Sequence, residues 1–219
     1  KSYEKLGAQL QTVNGQAGVS FAVWAPNAQQ VEVVGEFNAW SGSSCRMHRL
    51  VPGGIWELFI PGLGAGALYK YRVHADGSFS DRCDPYGFGA EVPPRTASVV
   101  IDLGAYQWRD GDWMAHRAAH NALDAPLNIY EVHLGSWKRP GDNPQRWLTY
   151  AELEQELVPY VVEMGFTHVE FLPPSEHPLS ASWGYQTIGL FAATSRFGPP
   201  QAFMSLIDAF HRAGVGVLI

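Results

Sequence analysis

Cysteine is nearly absent: the 219 residues hold only Cys45 and Cys83, far apart and in no metal-ligand spacing. This leaves two plain thiols as the expectation rather than a zinc site or a disulfide framework, in keeping with a reducing cytoplasm. No apolar stretch approaches the roughly 18 residues of a membrane-crossing helix. Long basic runs are missing and the formal net charge is −6, so neither nucleic acid nor a membrane is an expected partner. Lys1 is followed by neither the charged-then-apolar layout of a signal peptide nor preceded by an initiator Met. At the other end, Gly214-Val215-Gly216-Val217-Leu218-Ile219 reads as a buried strand with no neighbour. The expectation is that both ends are cut from a longer protein. No metal and no cofactor are expected.

Aromatic residues are plentiful, with eight Trp, nine Tyr and eleven Phe. Such rings stack on the C–H faces of sugars as well as filling cores. Up to about residue 104 the chain is written in short strands: GVSFAVWAP (18–26), QVEVVGEF (30–37), GIWELFI (54–60), ALYKYRVHA (67–75) and ASVVID (97–102). Turn signals separate them, among them Pro26-Asn27, Pro52-Gly53-Gly54 and Asp76-Gly77. Val31 and Val33 alternate with Glu32, and Trp56, Leu58 and Ile60 with Glu57, which predicts one buried and one wet face. Short strands at this spacing imply an antiparallel β-sandwich over residues 1–104. Residues 105–126 show no sustained apolar period and read as a connector with room for one short helix.

From Leu127 the pattern changes to βαβαβ. LNIYEVHL is a mostly apolar strand, and Thr149 with Glu152 forms a capping box opening a helix that Gly165 ends. Leu153, Leu157, Tyr160, Val161 and Met164 recur at helical spacing. THVEFLP is the second strand. Pro199-Pro200 precede a helix with Phe203, Leu206, Ile207 and Phe210 inward, and VGVLI is the third strand. Apolar strands joined through helices imply a parallel sheet. The connection over 135–148 lacks Gly-x-Gly-x-x-Gly, which argues against a dinucleotide site. The connection from Pro173 to Pro199 is long and aromatic, as where (β/α)8 barrels build active sites. A barrel needs about 250 residues, and 127–219 supplies its opening only.

YEVHLGSW, TYAELEQELVPYVVEMGFTHVEFLP, Glu176-His177-Pro178, WGYQ, TSRFG and AGVGVLI closely resemble bacterial 1,4-α-glucan (glycogen) branching enzymes. So do YEKLGAQL, FAVWAPNAQQVEVVGEFNAW, GIWELFIPGL, LYKYRV and DPYGFGAEVPPRTASVV. The resemblance implies a family 48 carbohydrate-binding, immunoglobulin-like sandwich (1–104), a connector (105–126), and the start of a family 13 glycoside hydrolase TIM barrel (127–219). It also implies a reaction in glycogen biosynthesis. An α-1,4 bond is cleaved by a retaining double displacement, and the chain is passed to a 6-hydroxyl as an α-1,6 branch. Such chemistry needs two carboxylates roughly 5–5.5 Å apart; in the family they follow later barrel strands, so this stretch holds no catalytic residue. An α-glucan substrate, a cytoplasmic setting and a monomeric parent are expected.

By the same resemblance Tyr185 matches the tyrosine that stacks on the sugar at the cleaved bond. Trp183 and Gln186 flank it, with loop packing as the plainer role for Trp183. Glu131 and His133 alternate on one strand face and read as a structural polar network, and His177 as a loop-orienting residue. In the sandwich, Trp40 and Lys70 match glycan-contacting positions of the glycogen-binding domain of AMP-activated kinase β subunits, with Phe79 in place of a second Trp. Ala193 stands where proline is common before Thr194-Ser195-Arg196-Phe197-Gly198. The competing readings are a related debranching enzyme or trehalohydrolase, and a stand-alone α-glucan-binding module.

Overall fold

The computed structural model describes Lys1–Ile219, which divide into two compact units: Lys1–Asp102 with Thr187–Ala192, and Leu103–Gln186 with Ala193–Ile219. In chain order the regular elements are β1 (Gly7–Val13), β2 (Gln16–Trp24), β3 (Gln30–Gly35), β4 (His48–Leu50), β5 (Ile55–Pro61), β6 (Leu68–Ala75), β7 (Ser78–Arg82) and β8 (Ser98–Val99). There follow α1 (Gly111–His120), β9 (Ile129–Val132), α2 (Tyr150–Glu163), β10 (His168–Phe171), β11 (Ser175–Glu176), β12 (Gly189–Ala193), α3 (Pro200–Arg212) and β13 (Gly216–Leu218).

The first unit is an antiparallel β-sandwich. One sheet runs β1-β2-β5-β4, and the other β3-β6-β7 with β8 also on β6. Alternation fixes the inner faces: Val19, Phe21 and Val23 of β2, Trp56 of β5, Val31 and Val33 of β3, and Tyr69 and Tyr71 of β6 form one buried cluster. Burying such side chains contributes about 1.5–3 kcal/mol each. The expectation of a wet outer face fails at β3. Glu32 is buried, because the turn at Gly42 packs against it, so closely that a Cβ there would lie 1.9 Å from its carboxylate oxygen. Its carboxylate is met there by Gln30 Nε2 at 2.7 Å and His74 Nε2 at 3.1 Å. The sequence reading also missed the polar edge strands β1, β4 and β7. The turns leading into β2 and β7 carry the signal: Asn14-Gly15 and Asp76-Gly77 both take positive φ at both residues, the primed turn of a two-residue hairpin.

Beneath this core lies Asp84. Its carboxylate accepts bonds from Tyr69 Oη (2.6 Å), Tyr71 Oη (3.1 Å) and the Tyr86 N–H (2.8 Å). Burial raises its pKa, the three donors pulling against that rise. Cys45 and Cys83 are both free thiols.

In the second unit β9, β10 and β13 form a parallel sheet in the order β13-β10-β9, with His168 of β10 registered against Ile129 and Gly216. α2 starts as its sequence dictates: Thr149 Oγ1 accepts the Glu152 N–H, and Glu152 accepts the Thr149 N–H at 2.7 Å. Arg146 and these Thr149 donors hold the Glu152 carboxyl down at about 2. Thr149→Ala is expected to cost about 1 kcal/mol, read as a shift in the urea midpoint. The contribution from Glu152 is full above the ordinary carboxylate range and is lost as pH falls through about 2.

Leu153, Leu157 and Val161 of α2 and Leu206 and Phe210 of α3 are fully buried with Val169 and Phe171 of β10. Met164, expected inward, is instead exposed, because the helix closes at its own C-cap there. Residues 105–126 contain a helix, α1. Its Trp113 is stacked between the imidazoles of His120 and His211, 5.2 Å from each. Asp208 of α3 is wholly buried and accepts the Arg109 N–H and the Tyr106 hydroxyl at 2.9 Å each. No helix is long and apolar enough to cross a membrane.

Candidate functional site: the loop after β10 and the outer face of the β3-β6-β7 sheet

Chain emerging from β10 runs through a long loop before α3 begins. A buried ion pair closes this loop. Glu176 is 2% exposed and accepts from Ser195 N and Oγ at 2.7 Å, Arg196 Nη1 at 2.8 Å, His177 N at 3.0 Å and Thr194 Oγ1 at 3.2 Å. Arg196 also donates to Ser180 Oγ, and Tyr150 of α2 donates to the Thr194 carbonyl at 2.9 Å. The Glu176-His177-Pro178 and TSRFG motifs are therefore the two ends of one clasp. Sequence reasoning quoted both motifs without giving Glu176 or Arg196 a role. An acid and a base twenty residues apart, in a loop with no other Asp, Glu, Lys or Arg, were the available signal.

At the tip the backbone is forced. Trp183 adopts φ +55° and Gly184 φ +89°, and a Cβ on Gly184 would lie 2.1 Å from the Pro173 carbonyl oxygen. Only glycine fits against β10's exit there, and a left-handed non-glycine residue costs on the order of 1–2 kcal/mol. The Trp183 ring stacks on His133 at 5.6 Å and 24°. His133 lies beyond the end of β9, which stops at Val132 rather than running through Leu134. It bonds Ser136 Oγ through Nδ1 at 3.0 Å. Burial, followed by the neighbouring His177 and Arg139, lowers the His133 pKa, which favours the neutral ring.

Tyr185 follows with its N–H on the Ser182 carbonyl at 3.0 Å and its side chain 68% exposed. Gln186 is exposed beside it. His177 is buried, its Nδ1 on the Ser175 carbonyl at 2.9 Å. Glu131 and Glu170 are register partners on β9 and β10, both exposed. The loop thus presents a tyrosine ring on a tip fixed by a clasp, a glycine and a stacked tryptophan.

The sandwich residues fall on a different surface. Lys70 lies on the outer face of β6, opposite Val34, and donates to Thr96 Oγ1 at 2.8 Å. Phe79 of β7 shares that face, opposite His74, and is 58% exposed, with the Arg72 guanidinium 4.5 Å over its ring. Arg72 in turn pairs with Asp81. Trp40 sits past the end of β3 at φ +57°, its N–H on the Gly35 carbonyl at 2.8 Å. Lys70 and Phe79 therefore occupy one face, with a charged cluster between them.

Comparison with known proteins agrees with this chemistry. The family carbohydrate-binding module 48 (isoamylase N-terminal domain) matches residues 5–87. The chain is 57% identical over 218 residues to the 1,4-alpha-glucan branching enzyme GlgB of Rubrobacter xylanophilus, covering 99% of the chain and 30% of that relative. It is 55% identical to the enzyme of the same name in Paramagnetospirillum magneticum, with 100% and 30% covered. The chain thus spans about 30% of the length of the curated relatives it matches. Among solved structures, a Salmonella typhimurium protein assigned as an alpha amylase superposes with a TM-score of 0.76 at 25% identity, covering 97% of this chain and 32% of that one. A Paenibacillus barengoltzii pullulanase mutant complexed with maltotetraose gives 0.72 at 20% identity, covering 97% and 37% and showing the shared fold.

Proposed function

We propose that this chain is the carbohydrate-binding sandwich and opening barrel of a 1,4-α-glucan branching enzyme. The observation that carries the reading is 57% identity sustained over 99% of the chain. The parallel order β13-β10-β9 and the long loop leaving β10 support the assignment of 127–219 to the first βαβαβ of a (β/α)8 barrel. Residues 105–126 are then the connector, and 1–104 the sandwich.

In this reading an α-glucan lies against the loop tip. Tyr185 offers its ring face to the C–H face of the sugar at the bond to be cleaved, and its hydroxyl to a sugar oxygen. Trp183, seated on His133, holds the tip and borders the glucan, and Gln186 faces sugar hydroxyls. The two carboxylates of the retaining displacement belong to the longer enzyme: one attacks the anomeric carbon, and the other protonates the leaving oxygen and then deprotonates the incoming 6-hydroxyl. The stretch described here positions the glucan for that exchange. On the sandwich, Trp40, Lys70 and Phe79 contact α-glucan. The setting is cytoplasmic.

The test is incubation of the longer enzyme with amylose, followed by counting of α-1,6 linkages. New branch points are expected, and the 219 residues alone should form none. Hydrolysis without new linkages, or loss of existing ones, overturns the reading in favour of a debranching enzyme. Tyr185→Ala in the longer enzyme is expected to lower kcat/KM for branching by about tenfold, with an unchanged melting temperature.

A further inference from the structure

The outer face of the β1-β2-β5-β4 sheet has no role in anything above, yet it contains a trough of about 300 Å³. Lys5 and Gln11 lie on one side of it, Glu57, Phe59 and His48 on the other. Its place follows from register. Ser20 pairs with Phe59, Ala22 with Glu57, and Glu57 with His48, so these side chains stand in adjacent rows on the solvent side of the sheet. Phe59 leans over Gly18, where an added Cβ would meet its ring at 2.7 Å. Gln11 accepts the Ser20 hydroxyl at 3.1 Å. Two rows further along β2, Trp24 stands on this same side, 62% exposed, its indole N–H fixed on the Gly53 carbonyl at 3.1 Å.

The Phe59 ring thus borders a polar hollow, and Trp24 extends the same sheet face beyond it, about 13 Å from Ser20 along β2 at the rise of a strand, so that the face has the length of a short oligosaccharide. Lys5 and Glu57 bring opposite charges, so the hollow has no net sign to recruit a phosphate or a metal ion. Polar groups of balanced charge beside a half-buried Phe59 ring and an exposed Trp24 suit a neutral polyhydroxyl ligand. We propose that this trough is a second α-glucan-binding surface, separate from the face that carries Lys70 and Phe79, with Phe59 and Trp24 as stacking platforms and Gln11, His48 and Glu57 bonding sugar hydroxyls. The proposal rests on the α-glucan reading above and extends it to the opposite side of the sandwich.

The experiment is native electrophoresis of the full chain through gels with and without glycogen, comparing the parent, Trp40→Ala, and Trp40→Ala combined with Phe59→Ala or with Trp24→Ala. Each added change is expected to weaken the remaining retention about fivefold. Ser20→Tyr, which fills the trough and keeps both rings, should do the same with an unchanged melting temperature. Retention abolished by Trp40→Ala alone, or insensitive to all three trough variants, overturns the trough and leaves the α-glucan reading standing. A parent with no retention in glycogen overturns both.

Discussion

Glu176→Ala is expected to destabilise the second unit by about 3–5 kcal/mol, the usual consequence of removing one partner from a buried ion pair. Both members are almost wholly enclosed, Arg196 at 3% and Glu176 at 2%. Arg196 Nη2 is already buried without an acceptor, so its charge rests on the single contact through Nη1 and the neighbouring hydroxyls. Removing the carboxylate also takes the acceptor from the Thr194 hydroxyl. The measurement is the denaturant midpoint of the full chain, with limited proteolysis to report opening between residues 176 and 196. Replacing both partners, as Glu176→Leu with Arg196→Met, should recover most of the loss. A single variant that shifts stability by less than about 1 kcal/mol would show that the clasp is solvated and the loop is held by other contacts.

Asp84→Ala is the second large effect, expected at about 3 kcal/mol and confined to the sandwich. It leaves the phenols of Tyr69 and Tyr71 buried without their acceptor, at about 1–3 kcal/mol for each unsatisfied group, offset in part by the cost of burying the carboxylate itself. The pH dependence identifies the cause. Burial raises the Asp84 pKa in the fold, so the folded state keeps this proton to a higher pH than the unfolded chain does. Its contribution to stability is then full below the ordinary carboxylate range and is lost as pH rises through the folded value. Asp84→Asn should flatten that part of the stability–pH curve while keeping much of the hydrogen bonding. A curve unchanged between the parent and Asp84→Asn would mean the carboxylate titrates alike in both states.

How legible this was depends on the kind of signal. The core strands were readable because Val19, Phe21, Val31, Val33 and Trp56 obey a period of two, and α2 because Thr149 and Glu152 are a local capping code. The edge strands β1 and β7, where Gln, Thr, Ser and Asp interrupt the few apolar residues, show no such run of large apolar side chains. They are held by ladders to β2 and β6, which are contacts at a distance. Glu32, Asp84, Glu176 and Asp208 show the same limit. Composition places acids at the surface, and only the assembled fold supplies the tyrosines, the arginine and the backbone N–H groups that bury them. The loop tip was recognisable as a motif. Its geometry, with Trp183 left-handed and stacked on His133, was not, since nothing local links residues fifty apart. The sandwich residues Lys70 and Phe79 share a face because β6 and β7 pair, which the missed strand β7 concealed.

The return of Thr187–Ala192 to the first unit bears on how these modules can be handled as pieces. Phe191 stacks on Tyr86 at 4.9 Å and meets Tyr3 at 5.8 Å, so a segment from deep in the second half completes an aromatic patch of the first. A single cut near residue 104 does not release the sandwich intact; it removes one of the patch's three rings. Shuffling this sandwich onto another enzyme, by recombination or at the bench, therefore calls for two joints rather than one.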